Sequence, residues 1–281
     1  MLKGLTRAGL GDIGNIEQWI EAASRHHFQA IDPDAGELVE WVSAKGAEKA
    51  AAFLEQNNIR IGSISLSVQW RESEEQFISG LPALSQQAAV ASSLGCRSCG
   101  TYILPSTDRD PVRFMAQATR RLRIIAQILA PYGIKLALEF VGPHHLRTKW
   151  KHPFLWEMDA TLEWIQAINE PNVGLLLDSY HWYTNGLSEA DIRSLSAEQI
   201  AHVHINDAPD VPIAEVLDND RVYPGEGVID LPAFLKAVKQ TGYQGAVSQE
   251  ILTPEPPKAT SEELLKRSEA AFSKVFGEAG L

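Results

Sequence analysis

The sequence is poor in cysteine, has no long apolar run, and carries too little positive charge to balance its acids. The two cysteines, Cys96 and Cys99, are spaced as C-x-x-C, but no second pair is present to complete a zinc site. A strand that begins near Cys99 would also direct the two thiols to different faces. We therefore expect two small buried residues and no zinc or redox site.

Membranes and nucleic acid are poor partners for this chain. No apolar run approaches the roughly 18 residues needed to span a bilayer, and residues 1–4 lead into polar sequence instead of a signal-peptide core, which predicts a cytoplasmic protein. Lys and Arg number 25 against 36 Asp and Glu, and the net charge of −11 opposes binding to polyanions. We expect no membrane and no nucleic acid among its partners.

The composition is that of a folded globular protein. Hydrophobic residues make up 44% and charged residues 22% of the 281 positions, which excludes disordered, collagen-like and low-complexity classes. This length lies near the upper limit for one hydrophobic core, so one large domain and two small ones are both compatible with it.

Short runs with period-2 alternation recur along the chain between longer runs with helical periodicity. The predicted strands are residues 3–8, 28–32, 60–66, 99–104, 135–140, 173–178, 202–206 and 246–251. The predicted helices are residues 16–24, 47–56, 77–93, 111–129, 160–168, 188–195, 231–239 and 262–276. Strand–helix units of about 35 residues match a (β/α)8 barrel. The sequence therefore predicts an α/β fold with a single TIM-barrel domain over residues 1–281.

Local capping signals support the helix predicted before the last strand. Asp230 is placed to cap its N-terminus, Pro232 fits its first turn, and Gly242 lies just beyond its end.

Acidic and histidine side chains lie near the ends of the last four predicted strands. Glu139 alternates onto the inner face of its strand, and Asp178 ends an apolar run. His204 belongs to the seventh strand, and Glu250 lies near the end of the eighth. Because TIM-barrel sites form at the C-terminal ends of strands, we expect these four side chains to converge.

Three carboxylates packed together require a cation. Carboxylate oxygens with one imidazole form a hard, mixed oxygen and nitrogen site. We expect Glu139, Asp178, His204 and Glu250 to bind one divalent metal ion. Mn²⁺ is the first expectation, and Mg²⁺, Co²⁺ and Zn²⁺ are the alternatives. A single acid at a strand end is usually a helix cap or an ion-pair partner, but four at matching heights favour a metal centre.

Five motifs surround the candidate ligands and the loop between the last two strands. They are Leu138-Glu139-Phe140, Leu177-Asp178-Ser179-Tyr180-His181, residues 202–207 (HVHIND), residues 220–230 (DRVYPGEGVID) and Ser248-Gln249-Glu250. With these motifs the chain resembles the xylose-isomerase-like TIM-barrel superfamily of sugar isomerases and epimerases, which also contains inosose dehydratases and endonuclease-IV-type nucleases. The resemblance extends over essentially the whole chain.

The resemblance implies the same four metal ligands and assigns substrate contacts to His181 and Arg221. It also implies that Glu139 and Glu250 form an acid/base pair, which moves a proton next to a substrate carbonyl through a metal-stabilised enediolate. The expected function is a metal-dependent carbohydrate isomerase or epimerase. A dehydratase of a keto-inositol or related cyclic ketone uses the same first step and is the alternative. Superfamily members are often dimers or tetramers, which leaves a homo-oligomer open.

Two tryptophans are further candidates for contact with a carbohydrate substrate. Trp150 lies in the cation-rich segment 144–152, which either holds an anionic substrate group or is simply a solvated basic loop. Trp182 directly follows His181 and is a candidate for the same contact with substrate. His202 lies one step deeper than His204, so we expect it to be a hydrogen-bonded core histidine.

Three rival functions are less well supported. The related nucleases bind three metal ions through additional histidines, whereas no histidine lies between His27 and His144 here. Residues 9–14 read G-x-G-x-x-G, and Asp32 follows at a distance compatible with a dinucleotide site, but residues 3–8 make a poor buried parallel strand. A barrel that binds sugar without converting it is disfavoured by the presence of both glutamates.

Overall fold

Short strands alternate with longer helices along the chain, and the computed structural model describes residues 1–281. The strands are β1 (Leu2–Leu5), β2 (Ala30–Ile31), β3 (Arg60–Ile61), β4 (Ile64–Ser65), β5 (Ser98–Ile103), β6 (Ser106–Thr107), β7 (Lys135–Phe140), β8 (His152–Pro153), β9 (Val173–Asp178), β10 (Ile200–Ile205) and β11 (Ala246–Gln249). The helices are α1 (Ile16–Arg25), α2 (Ala35–Lys45), α3 (Ala47–Gln56), α4 (Glu74–Ser93), α5 (Pro111–Leu129), α6 (His144–Arg147), α7 (Met158–Ile168), α8 (Ser179–Thr184), α9 (Glu189–Arg193), α10 (Leu231–Gln240) and α11 (Ser261–Glu278). No helix combines the length and the apolar character that a membrane span requires.

Nine of the strands form one parallel sheet in the order β3-β2-β1-β11-β10-β9-β7-β5-β4. The two end strands, β3 and β4, are consecutive in the chain and are separated only by Gly62 and Ser63. They are the two halves of one predicted strand, so the sheet closes on itself as a barrel of eight strands with the third interrupted. The predicted (β/α)8 barrel is confirmed. Strands β6 and β8 form a separate antiparallel pair.

The core follows from the alternation within each strand. In β7, Leu136, Leu138 and Phe140 are fully buried on the outer face, where α5 and α7 contact the strand. Ala137 and Glu139 occupy the inner face. One cluster of 67 buried residues, from Leu5 to Ala279, connects the barrel wall to the surrounding helices.

Most predicted elements are present with shifted boundaries. The first strand is Leu2–Leu5 and not residues 3–8, and the second keeps only Ala30–Ile31. The prediction contained no helix at α2, although Asp34 caps its start and its buried residues are spaced for a helix. Two short helices, α6 and α8, were also not predicted. At α10, Asp230 accepts from the Ala233 amide as the predicted cap.

Residues 9–14 connect β1 to α1, as a barrel requires, and do not form a dinucleotide-binding turn of an open sheet. Gly9, Gly11 and Gly14 all have positive φ, so the glycines serve the shape of this loop. Cys96 and Cys99 are both free and fully buried, and the Cys96 thiol donates to the Ser98 carbonyl oxygen at 3.2 Å. The expectation of two small buried residues is confirmed.

Candidate functional site

The four predicted ligands meet at the C-terminal mouth of the barrel. Glu139 is the penultimate residue of β7, Asp178 ends β9, His204 lies near the end of β10, and Glu250 follows β11 directly. One ligand atom from each lies within 4.8 Å of the others. The parallel register brings them together, because Glu139 pairs with Leu176 of β9 and His204 pairs with Asp178.

The ring of His204 points its Nδ1 atom at all three carboxylates. Nδ1 lies 3.5 Å from Glu139 Oε1, 3.5 Å from Glu250 Oε2 and 3.9 Å from Asp178 Oδ2. His204 Nδ1 and Glu139 Oε1 are both buried and have no hydrogen-bond partner. Buried polar atoms are almost always paired in native proteins. A divalent cation between these atoms would satisfy both, and the donor set of three carboxylates and one imidazole suits such an ion.

Asp178 is held rigidly as a potential ligand. It is fully buried, and its Oδ1 accepts hydrogen bonds from the Tyr180 amide at 2.6 Å and from Asn206 Nδ2 at 3.0 Å. The first contact also caps α8, so the same carboxylate ends β9 and begins the next helix.

Arg221 lies against the carboxylates of the cluster and hydrogen-bonds to two of them. Its Nη1 donates to Asp178 Oδ2 at 3.0 Å and to Glu250 Oε2 at 2.8 Å, and its Nη2 donates to Asp218 Oδ1 at 3.0 Å. The residue is only 4% exposed. Arg221 borders the cavity, but its guanidinium is committed to these acids.

The two glutamates differ in their electrostatic surroundings. Burial raises the pKa of Glu139, with a further contribution from the charge of Glu250, although contact with His204 opposes the shift. Glu250 experiences the same burial penalty, but His204 and Arg221 outweigh it and hold its pKa far below the usual range. In the metal-free protein Glu139 is therefore the glutamate that retains a proton more readily.

The charge of the cluster also acts on its other two members. Burial opposes ionisation of Asp178, but Arg221 outweighs it and lowers the pKa of this carboxyl. Burial likewise disfavours the charged form of His204, whereas Glu250 and Glu139 raise its pKa well above the usual value.

His181 is placed with one nitrogen anchored and the other directed at Glu139. Its Nδ1 accepts from the Gly142 amide at 3.3 Å, so the hydrogen of the neutral ring lies on Nε2. That Nε2 is 3.9 Å from Glu139 Oε1, too far for a direct hydrogen bond. His181 also lines the cavity, where Nε2–H can donate to a substrate oxygen.

Two connected cavities share Tyr102, Glu139 and Glu250. The first, of about 240 Å³, is here called the hydroxyl lobe; its polar lining comprises Thr6, Asp32, Ser63, Ser65, Thr101, Tyr102, Glu139, His204 and Glu250. The second, of about 650 Å³, is here called the loop lobe; its lining includes Tyr102, Leu104, Glu139, His145, Lys149, Trp150, His181, Asp218, Arg221, Glu250 and Leu252. Glu139 and Glu250 line both lobes, His204 lines the hydroxyl lobe, and the fully buried Asp178 lies behind them and lines neither lobe.

The two predicted tryptophans have different locations. Trp150 lines the loop lobe, and Lys149 Nζ lies 4.8 Å from the centre of its ring. Trp182 does not reach either lobe. It packs against Phe234 of α10 and donates its indole N–H to the Ser188 carbonyl oxygen at 3.1 Å. Consecutive side chains of a helix point in different directions. In α8, His181 faces the cavity, and Trp182 therefore faces the core.

The basic segment 144–152 is only partly available to a ligand. Arg147 is tied to backbone, donating to the carbonyl oxygens of Gly142 at 2.8 Å and Thr184 at 3.0 Å. His145 and Lys149 line the loop lobe. Arg147 therefore has a structural role. Lys149 is exposed beside the cavity, where it is available to a ligand.

Asp207 organises the loop that carries Arg221, a role the sequence analysis did not anticipate. Its carboxylate accepts hydrogen bonds from four backbone amides, those of Ala208, Gly225, Gly227 and Ile229, at 2.8 to 3.0 Å. Its backbone also pairs with Val222, which fixes the neighbouring Arg221. Its partners at Gly225 and Gly227 lie 18 and 20 residues later in the chain, so no local sequence pattern around Asp207 marks this role.

A model of the xylose isomerase-like TIM barrel family matches residues 20–271 of the chain. The chain belongs to this family. The xylose isomerase-like assignment confirms the resemblance seen in the sequence, and it accounts for the barrel and for the position of the four strand-end residues, which a dinucleotide-binding fold does not.

The curated relatives of the chain include inosose isomerases, a ketose 3-epimerase and 3-dehydroshikimate dehydratases. The chain is 28% identical over 275 residues to inosose isomerase of Bacillus velezensis, a match that covers 93% of this chain and 94% of that enzyme. It is 27% identical over 179 residues to ketose 3-epimerase of Arthrobacter globiformis, covering 60% of this chain and 54% of that enzyme.

Solved structures agree with the fold. A xylose isomerase domain protein from Alicyclobacillus acidocaldarius has a TM-score of 0.92 and 32% identity, and the match covers 100% of both chains. The IOLI protein, whose crystal structure contains a bound zinc atom, has a TM-score of 0.81 and 24% identity over 99% of both chains.

Proposed function

We propose that the protein is a divalent-metal-dependent carbohydrate isomerase or epimerase, formed by one domain over residues 1–281, that transfers a proton at the carbon next to a carbonyl. The observation that carries the proposal is the pair of buried, unpartnered atoms, His204 Nδ1 and Glu139 Oε1, among three carboxylates at the junction of two cavities. The inosose isomerase and ketose 3-epimerase relatives support this reaction class.

Glu139, Asp178, His204 and Glu250 are the residues that would hold the ion. Such an ion supplies Lewis acidity, which polarises the substrate carbonyl and makes the adjacent C–H acidic. Mn²⁺ is our first choice because three of the four donors are carboxylates. Zn²⁺, which the IOLI protein binds, is the main alternative.

Proton transfer is the task of Glu139 and Glu250. Glu250, whose pKa is held low by His204 and Arg221, is ionised at neutral pH and can accept a proton at Oε1 or Oε2. Glu139, a neighbouring strand-end residue of the same cluster, is the proposed partner that returns a proton to the substrate. His181 orients a substrate oxygen by donation from Nε2.

The substrate we propose is an unphosphorylated keto sugar or keto-inositol. The hydroxyl lobe is lined by Thr6, Ser63, Ser65 and Thr101 and by three acids, with no Lys or Arg. Hydroxyl groups are well suited to donate to such oxygens, whereas a phosphate would be repelled. In the loop lobe Arg221 is already paired with acids, so Lys149 is the one cation left for an anionic group.

Solvent deuterium provides the test. The Mn²⁺-loaded protein would be incubated in D₂O with ketoses, keto-inositols and their phosphorylated counterparts, and the products followed by mass spectrometry and NMR. We expect deuterium to enter the carbon next to the carbonyl of an unphosphorylated substrate, with all oxygens retained. Loss of one water would instead identify a dehydratase. Binding without deuterium exchange in any compound would contradict the proposal.

A further inference from the structure

Asp32 directly follows β2 and lies on the Nε2 side of the His204 ring. Its Oδ2 accepts from His202 Nε2 at 2.7 Å and lies 3.8 Å from His204 Nε2. His202 is 1% exposed, so the expectation of a hydrogen-bonded core histidine is confirmed. One carboxylate thus faces both histidines of β10, from the side opposite to the three acids of the candidate metal centre.

The interruption of the third barrel strand places Asp32 there. The amide of Ser63, which lies between β3 and β4, donates to Asp32 Oδ1 at 3.0 Å. At the adjacent Gly62, a Cβ would lie well inside contact distance of the same Oδ1 and 3.0 Å from the Ala246 Cβ. The Asp32 carboxylate can occupy this position because Gly62 has no Cβ and because the Ser63 amide is available to donate to it.

The two ring nitrogens of His204 face different surroundings. Nδ1 points at Glu139, Asp178 and Glu250 and has no hydrogen-bond partner. Nε2 faces Asp32. A carboxylate next to one nitrogen favours the hydrogen on that nitrogen and frees the lone pair of the other, and carboxylates of this kind commonly orient metal-binding histidines.

We propose that Asp32 is a positioning residue, which keeps the hydrogen of His204 on Nε2 and orients the ring so that Nδ1 is the nitrogen that binds the metal ion. The inference rests on the metal site of the proposed function. It concerns metal binding alone, so it can fail while the four ligands and the reaction stand.

The test is a titration of the metal-free protein with Mn²⁺ by isothermal calorimetry, without substrate. We expect Asp32→Asn to weaken binding by about 10- to 100-fold, the usual effect of removing a carboxylate that orients a metal-binding histidine. The matched control is Asp34→Asn. Asp34 is exposed, caps α2 and accepts from Ser65 Oγ at 2.8 Å, with no contact to either histidine, so its substitution is expected to leave Mn²⁺ affinity unchanged.

A second variant retains the Asp32 side chain and disturbs only its position. Gly62→Ala forces the carboxylate aside, and we expect it to weaken Mn²⁺ binding in the same direction. Both variants are to be compared with the wild type by circular dichroism and thermal unfolding of the metal-free form, which separates loss of affinity from loss of fold.

NMR of the Zn²⁺-loaded protein gives a readout that a purely structural role would not change. We expect the ¹⁵N shifts of His204 to report hydrogen on Nε2 and metal on Nδ1 in the wild type, and Asp32→Asn to shift or broaden the Nε2–H signal. Unchanged affinity and unchanged ring signals in Asp32→Asn would overturn the inference while leaving the metal centre intact. A wild-type protein that binds neither Mn²⁺ nor Zn²⁺ would overturn both.

Discussion

At the residue scale, two glutamates of the same chemical type have different electrostatic surroundings because their neighbours differ. Glu250 contacts Arg221 at 2.8 Å, whereas Glu139 has an unpartnered oxygen and is more deeply buried. Without a metal ion, His204 and Arg221 hold the pKa of Glu250 low, whereas burial raises the pKa of Glu139. This asymmetry suits a reaction in which a proton leaves one face of a carbon and returns elsewhere.

Removing either carboxylate charge tests that assignment. We expect Glu250→Gln and Glu139→Gln each to lower kcat by about 10²- to 10⁴-fold, the usual range for a positioned acid or base. Deuterium exchange into the substrate measures the loss. Glu255→Gln, at an exposed position in the loop after β11, is the control and is expected to retain wild-type activity. Retention of activity in Glu250→Gln would contradict the acid/base pair.

Arg221 is the residue on which stability of the metal-free cluster depends. Arg221→Met leaves Asp178 and Glu250 buried together without their counter-charge. We expect the free energy of unfolding to fall by about 3 to 5 kcal/mol, as measured by urea denaturation in the presence of a chelator. The half-exposed pair Arg193 and Glu189 is the comparison, where Arg193→Met is expected to cost less than about 1 kcal/mol.

At the scale of the elements, periodicity predicted the long helices and the buried strands because their burial patterns are regular. It failed where the chain departs from one period. Helix α2 has Gly36 in its first turn and two valines, which weaken its helical propensity. The predicted third strand is interrupted at Gly62 and Ser63 because the Ser63 amide binds Asp32 instead of a neighbouring strand.

In the candidate site, too, regular sequence patterns predicted some features and missed others. Glu139, Asp178, His204 and Glu250 converge as predicted, because strand alternation and register decide where strand-end side chains point. Side chains on the connecting loops depend on tertiary contacts that the sequence pattern does not encode. Trp182 therefore packs into the core, and Asp32 and Asp207 acquire partners distant in sequence.

Asp207 gives a prediction about one loop. Asp207→Ala removes the acceptor of four amides and leaves the donors at Gly225, Gly227 and Ile229 without their partner. Since each unpaired buried donor costs about 1 to 3 kcal/mol, we expect a loss of several kcal/mol in the free energy of unfolding. Hydrogen exchange should show faster exchange in residues 223–229.

The neighbouring exposed acid provides the control for that measurement. Asp210→Ala removes a carboxylate from the same connection without affecting a buried amide. We expect its exchange rates and its stability to match the wild type within about 0.5 kcal/mol. Equal effects of the two substitutions would show that the amide contacts of Asp207 do not hold the loop.

At the scale of the whole molecule, the two buried thiols make the free energy of unfolding depend on pH in the alkaline range. Burial raises the pKa of Cys96 to about 12, and it raises the pKa of Cys99 further. A thiol of the unfolded chain ionises near pH 8.5. Above that pH the unfolded state has lost protons that the folded state retains. The free energy of unfolding should therefore fall as pH rises, by up to about 1.4 kcal/mol per pH unit for each thiol.

Urea denaturation between pH 8 and pH 10 measures this slope. The double variant Cys96→Ala, Cys99→Ala lacks both thiols, so we expect a shallower decline than in the wild type, whatever its absolute stability. In the folded wild type we also expect no reaction with iodoacetamide, because both side chains are inaccessible. Identical slopes in the two proteins would contradict the linkage.

The guanidinium of Arg221 has a consequence for how the protein would acquire the proposed metal ion. It bridges Asp178 and Glu250, so these acids have a counter-charge without any ion. A chelator should yield an intact, refillable apoprotein that different divalent ions restore to different degrees. Under the proposed function, loss of the ion would then stop the reaction without unfolding the chain.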